Sequence, residues 1–133
     1  MQLDPLDRSV VPYIPEDPTF TIDQLTPADY AAVSAFLTAR LRELADSGQT
    51  GAARALDEAL SLHTETLGPN FQWETDYRHE PVPDHWLRER MNSWNPLVCA
   101  MWAGWHDAEG YDRTRWTLVA SPRRAETAAG GSA

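Results

Sequence analysis

The spacing of apolar residues defines two helices before any other feature is considered. Tyr30, Val33, Leu37, Leu41 and Leu44 step by three and four along the chain, and Phe36 widens the stripe. Thr26 stands as the N-cap, Pro27 takes the first helical position, and Asp29 completes a box-like Thr-x-x-Asp start. Gly48 ends this helix. Ala53, Leu56, Leu60, His63 and Leu67 repeat the spacing in a second helix that begins near Thr50. Gly68-Pro69 is its expected stop. Two amphipathic helices with a tight link predict an antiparallel helical hairpin over 26–68.

On either side the pattern is less regular. Pro5, Pro12, Pro15 and Pro18 remove backbone donors and bias their predecessors away from helix. Leu6, Val10, Val11, Tyr13, Ile14, Phe20 and Ile22 are interspersed with them. A free tail would be more polar, so residues 1–25 read as an extended arm that packs on its own domain or on a neighbour. A short strand over 10–14 fits this arm. Residues 69–83 read as irregular, with Phe71, Trp73 and Tyr77 suiting a short strand. Asp84 then caps a third helix whose stripe is Trp86, Leu87, Met91 and Trp94. Pro96 breaks that helix, and Asn95-Pro96 starts a fourth through Val98, Met101, Trp102 and Trp105.

A rival pattern puts two strands over 97–105 and 115–120, because Trp116, Leu118 and Val119 favour strand. Ala100, Met101, Ala103 and the three–four spacing favour helix. The expected fold is therefore mainly α, with a helical hairpin and a Trp-rich helical second half. The alternative is α+β, with a small antiparallel sheet or a C-terminal hairpin. The domain plan is an arm over 1–25, one globular domain over 26–120 and a mobile tail over 121–133, which ends Gly-Gly-Ser-Ala.

Composition narrows the function classes. The chain has 133 residues, 42% apolar and 23% charged, which suits one globular domain. No apolar run is long enough to span a bilayer. Met1-Gln2-Leu3-Asp4-Pro5 has neither the basic nor the apolar region of a signal peptide. A single cysteine, Cys99, excludes an internal disulfide. Together these predict a soluble, cytoplasmic protein. A net charge of -9 disfavours direct binding to nucleic acid or to an anionic membrane and steers the protein toward basic partners. All eleven basic residues are arginine, and isoleucine occurs only at Ile14 and Ile22. That bias suits a high-GC genome.

Candidate chemistry is sparse. Asp76, His79, Glu80, Asp84 and His85 are residue types that bind zinc, nickel or iron, but their spacing matches no metal motif. No metal and no cofactor is expected, and no G-x-S-x-G, P-loop, Rossmann or CxxC pattern occurs. Cys99, among Leu97, Val98, Ala100 and Met101, reads as a small buried hydrophobe, and His63 as a buried or half-buried histidine bonded across the helix pair. The six tryptophans stand out, five of them between Trp86 and Trp116. Tryptophan and arginine are typical interface anchors. The candidate contact residues are Trp86, Arg90, Trp94, Trp105, Arg113 and Trp116.

Residues 36–43, Phe-Leu-Thr-Ala-Arg-Leu-Arg-Glu, resemble the opening helix of a family of small actinobacterial and actinophage proteins. Residues 105–116, with His106, Tyr111 and Trp116, are similar to that family's C-terminal stretch. The family has no established activity, so the resemblance implies origin and helical content and transfers no site. The leading functional expectation is a non-catalytic interaction, accessory or assembly protein, with a protein partner or as a homo-oligomer. The second is a small enzyme or a ligand- or metal-binding protein with a site near Trp73, His79, Asp84 and His85. The third is an acidic nucleic-acid mimic, which the interleaving of acids with arginine disfavours.

Overall fold

The structure, a computed structural model, describes residues 4–77 and 79–122. Three long helices dominate it: α1, Pro27–Asp46; α2, Thr50–Asp76; and α3, Asp84–Trp105. Two single-turn 3-10 segments precede them, at Arg8–Val10 and Ile22–Gln24. Among the described residues there is no sheet, and one isolated parallel bridge joins Thr21 to Ala120. The chain is mainly α. The strands considered over 10–14, 69–83, 97–105 and 115–120 do not form. None of the described helices is long and apolar enough to cross a membrane.

α1 starts as its pattern predicts. The Thr26 hydroxyl accepts from the Asp29 N–H at 3.3 Å, and the Asp29 carboxylate accepts from the Thr26 N–H at 2.8 Å. Gly48, at φ +93°, takes the left-handed turn that lets α2 fold back along α1.

α2 does not stop at Gly68-Pro69; it runs on to Asp76. Pro69 cannot donate the helical bond toward residue 65, and such a loss costs about 3 kcal/mol. Packing offsets it. Leu67, Asn70 and Phe71 flank the proline and are 0–1% exposed. Burying one such apolar side chain contributes about 1.5–3 kcal/mol. Tyr30 of α1 stacks on Phe71 at 5.9 Å, and its hydroxyl donates to the Thr64 carbonyl at 3.1 Å. A Cβ on Gly68 would lie 3.0 Å from that hydroxyl oxygen. Gly68 therefore makes room for Tyr30 instead of ending the helix.

α3 likewise passes unbroken through Pro96, so the third and fourth expected helices are one. Trp94, Leu97, Val98 and Met101 around the proline are all 0% exposed. Pro83, not Asp84, holds the N-cap position, and Asp84 lies in the first turn, where a carboxylate favours the helix dipole.

The C-terminal segment runs through turns and bends and is held against α3 by α3 side chains and against the arm by backbone bonds. The Trp94 indole donates to the Thr117 carbonyl at 2.9 Å. Asn95 donates to the Val119 carbonyl at 3.2 Å and accepts from the Val119 N–H at 2.9 Å. Ala120 donates to Phe20 O at 3.0 Å, and Ile22 donates to Ala120 O at 2.9 Å. The arm enters the core through Phe20, Ile22 and Leu25. Farther out it is held where the Trp102 indole donates to the Pro12 carbonyl at 2.7 Å. Of the expected mobile tail, residues 123–133 lie outside the described residues.

Candidate functional site

The continuation of α2 past Pro69 creates a surface that the local pattern conceals. Trp73 and Tyr77 fall four residues apart and share a face at the end of α2. Trp86 and His85 come from the first turn of α3. The four rings form a ladder. Tyr77 meets Trp73 at 5.2 Å, Trp73 stacks on Trp86 at 6.0 Å with 20° between planes, and Trp86 meets His85 at 5.6 Å. Trp73 and Trp86 are half-buried, His85 is exposed, and Tyr77 is 47% exposed.

A buried polar network holds the platform beneath the ladder. Arg90 of α3 is 0% exposed. Its Nε donates to Asn70 Oδ1 at 2.7 Å, and its Nη1 lies 3.5 Å from Glu74 Oε1. The guanidinium sits over the Phe71 ring at 4.1 Å. Asn70 Nδ2 donates to the Trp86 carbonyl at 2.8 Å, which ties α2 to the first turn of α3. Burial pushes the Arg90 guanidinium toward a lower pKa, and the charge of Glu74 and its hydrogen bond oppose that shift. Arg90 Nη2 has no hydrogen-bond partner. The network fixes the angle of the two helices that carry the rings.

The candidate contact residues separate into three groups. Arg90, Trp94 and Trp116 lie in the core, at 0%, 0% and 4% exposure, so their side chains are not surface contacts. Trp86 belongs to the ladder. Trp105 and Arg113 lie at the other end of α3. Nineteen residues of helix, at 1.5 Å each, set Trp105 about 29 Å from Trp86, so no single patch contains both. Trp105 is half-buried edge-on against Phe36 at 6.2 Å. Arg113 is exposed, donates to Asp107 at 2.6 Å and to the His106 carbonyl at 3.1 Å, and lies over Trp102 at 5.5 Å. That end is largely a self-contained set of contacts, with Tyr111 donating to the Trp116 carbonyl at 3.1 Å. Burial pushes the Tyr111 phenol up to about 12.

The residues considered for a ligand or metal are brought only partly together. Trp73 and His85 join the ladder, and Asp84, next to His85 in sequence, is exposed. His79 is exposed and its Nε2 lies 3.8 Å from Glu80 Oε1. Among the described residues no group of three or more His, Cys, Asp or Glu stands close enough to hold a metal ion. His63 is half-buried on α2. Cys99 is exposed, not a buried hydrophobe. Its neighbours Leu97, Val98 and Met101 take the inward face of α3, and Cys99 lines an open groove of about 490 Å³ with Tyr13, Ile14 and Leu118.

The ladder was missed because Gly68-Pro69 reads as a helix stop, which turns Trp73 and Tyr77 into strand positions. Their i, i+4 spacing was the available signal. No protein-family model, curated protein or solved structure matches this chain.

Proposed function

We propose that this chain is a non-catalytic, cytoplasmic interaction protein whose contact surface is the aromatic ladder at the α2–α3 turn. One observation carries the reading: Tyr77, Trp73, Trp86 and His85 form a partly exposed row of ring contacts, stacked at Trp73–Trp86, on a platform held by the buried Asn70–Arg90 pair. Rigid aromatic side chains bind with little loss of conformational entropy and dominate the energetics of protein interfaces. An actinobacterial or actinophage origin belongs to the same proposal, on the arginine bias and the resemblance of residues 36–43 and 105–116.

The test is affinity purification of the tagged full chain from an actinobacterial lysate, with Tyr77→Ala and Trp86→Ala variants in parallel and thermal unfolding of each. A partner retained by the parent chain and lost from both folded variants is the expected result. A partner that persists with both variants, or no partner for the parent chain, removes the reading.

A further inference from the structure

We infer that the outer face of α3, together with the groove beside it, is the surface on which two copies of this chain pair. It is built from residues other than the ladder and does not rest on the reading above.

This face carries no charge in a chain of net charge -9. From Met91 to His106 there is no Asp, Glu or Arg, the longest such run in the sequence. Leu97, Val98, Met101 and Trp102 turn inward. Asn92, Pro96, Cys99 and Ala103 return every three or four residues on the outer side, and all four are exposed. Glu89 and Asp107 bound the strip. A charged partner finds nothing to pair with there. The strip of a second copy is as free of charge as the first, and its small side chains let the two helices approach closely.

The same patch holds both a knob and a hole. The bond from the Trp102 indole to the Pro12 carbonyl brings the arm alongside α3. Tyr13, the next residue, is 100% exposed. It rims the groove of about 490 Å³ that Ile14, Glu16, Cys99 and Leu118 complete. A two-fold interface needs a surface complementary to itself. An axis beside Cys99 sets each Tyr13 in the other copy's groove and lays the two strips together. The strip from Asn92 to Gly104 is about 18 Å long and about 10 Å wide. A buried tyrosine adds about 150–250 Å². With the groove walls, each copy buries on the order of 600 Å², the lower end for specific pairs.

α1 provides the contrast. Ala28, Ala31, Ala35 and Ala39 form a comparable row of exposed small residues. The groove along that helix is lined by Arg42, Arg54 and Asp57 and by none of the large apolar side chains left exposed. α1 therefore has the small face without the knob and the hole.

The test is sedimentation velocity on the full chain under reducing conditions, from about 1 to about 300 µM. A monomer–dimer equilibrium with a Kd on the order of 10 µM is expected. Raising salt from about 0.05 to about 0.5 M should tighten it, because Glu16 of each copy and the two net charges oppose pairing. Ala103→Arg lowers the net charge yet sets a cation in the strip, and it should leave a folded monomer. Tyr13→Ser should weaken the dimer roughly tenfold. Ala35→Arg, the same charge change on α1, should leave it intact. Cys99 is the chain's one cysteine, so its alkylation rate reports on the patch alone and should fall several-fold as dimer forms. A monomer at every concentration overturns the inference. So does a dimer that persists in Ala103→Arg and Tyr13→Ser, that Ala35→Arg disrupts equally, or that salt weakens. Alkylation of Cys99 that is slow at every concentration also overturns it, and assigns the face to a cover from within the same chain.

Discussion

Asp29 serves two partners, one three residues away and one 86 residues away. It closes the capping box of α1 with Thr26, and it receives Arg115 Nε at 3.0 Å and Nη2 at 2.6 Å. Arg115 Nη2 also donates to the Gln24 carbonyl at 2.9 Å, so this carboxylate helps hold the C-terminal segment against the start of α1. Burial by itself would raise the Asp29 pKa. The Arg115 hydrogen bond, the Thr26 N–H and the Arg115 charge outweigh it, and the carboxyl is held below its ordinary value. A depressed pKa of this kind stabilises the fold above the unfolded pKa of about 4 and is lost as pH falls through the lower folded value. Asp29→Ala is expected to cost about 2 kcal/mol at neutral pH. Urea unfolding from neutral to acid pH checks this, and the variant should lose less further stability than the parent below about pH 4. Parallel pH profiles would show that the pair contributes nothing. The cap was legible in Thr-x-x-Asp; the Arg115 contact was not, because nothing local to either residue encodes it.

At the scale of the element, both internal prolines sit in helices that packing carries through. Gly68 makes the case testable. In an exposed helix interior, replacing glycine by alanine stabilises by up to about 1 kcal/mol. Here the new Cβ would crowd the Tyr30 hydroxyl, which is held in place by its bond to Thr64 O. Gly68→Ala is expected to destabilise the parent by about 1 kcal/mol. In a Tyr30→Phe background the nearest remaining ring atom is at 3.5 Å. There the same change should stabilise by a few tenths of a kcal/mol. A double-mutant cycle by denaturant unfolding reads the coupling directly, and a coupling energy of zero would contradict the account. Gly68-Pro69 does not stop this helix, and Asn70 and Phe71 directly after it have places in the core.

For the whole molecule, the two ends of the described chain are fastened to α3 and to each other. Trp94 and Asn95 hold Thr117 and Val119, Ala120 bridges to Phe20 and Ile22, and Trp102 holds Pro12. These bonds satisfy backbone that in another fold would need a sheet. Asn95→Ala removes both bonds to Val119 and strands its N–H. It is expected to cost about 2 kcal/mol. Amide exchange at Val119 and Ala120 should accelerate roughly thirtyfold or more, while amides in the middle of α2 change less. Unchanged protection at Val119 would show that the clasp is not held by Asn95.

The sequence by itself determined what depends on neighbours in the chain. The cap at Thr26, the turn at Gly48, the amphipathic stripes of α1 and α2, and the mainly α character all follow from spacings of a few residues. Tertiary structure decided the rest. It carried α2 and α3 through Pro69 and Pro96, turned Trp94 and Trp116 inward, buried Arg90, left Cys99 outside and stacked Trp73 on Trp86. The reason is energetic. A local signal such as an internal proline carries a cost of about 3 kcal/mol. The burial that offsets it comes from side chains on other elements, and their positions are settled only when those elements pack.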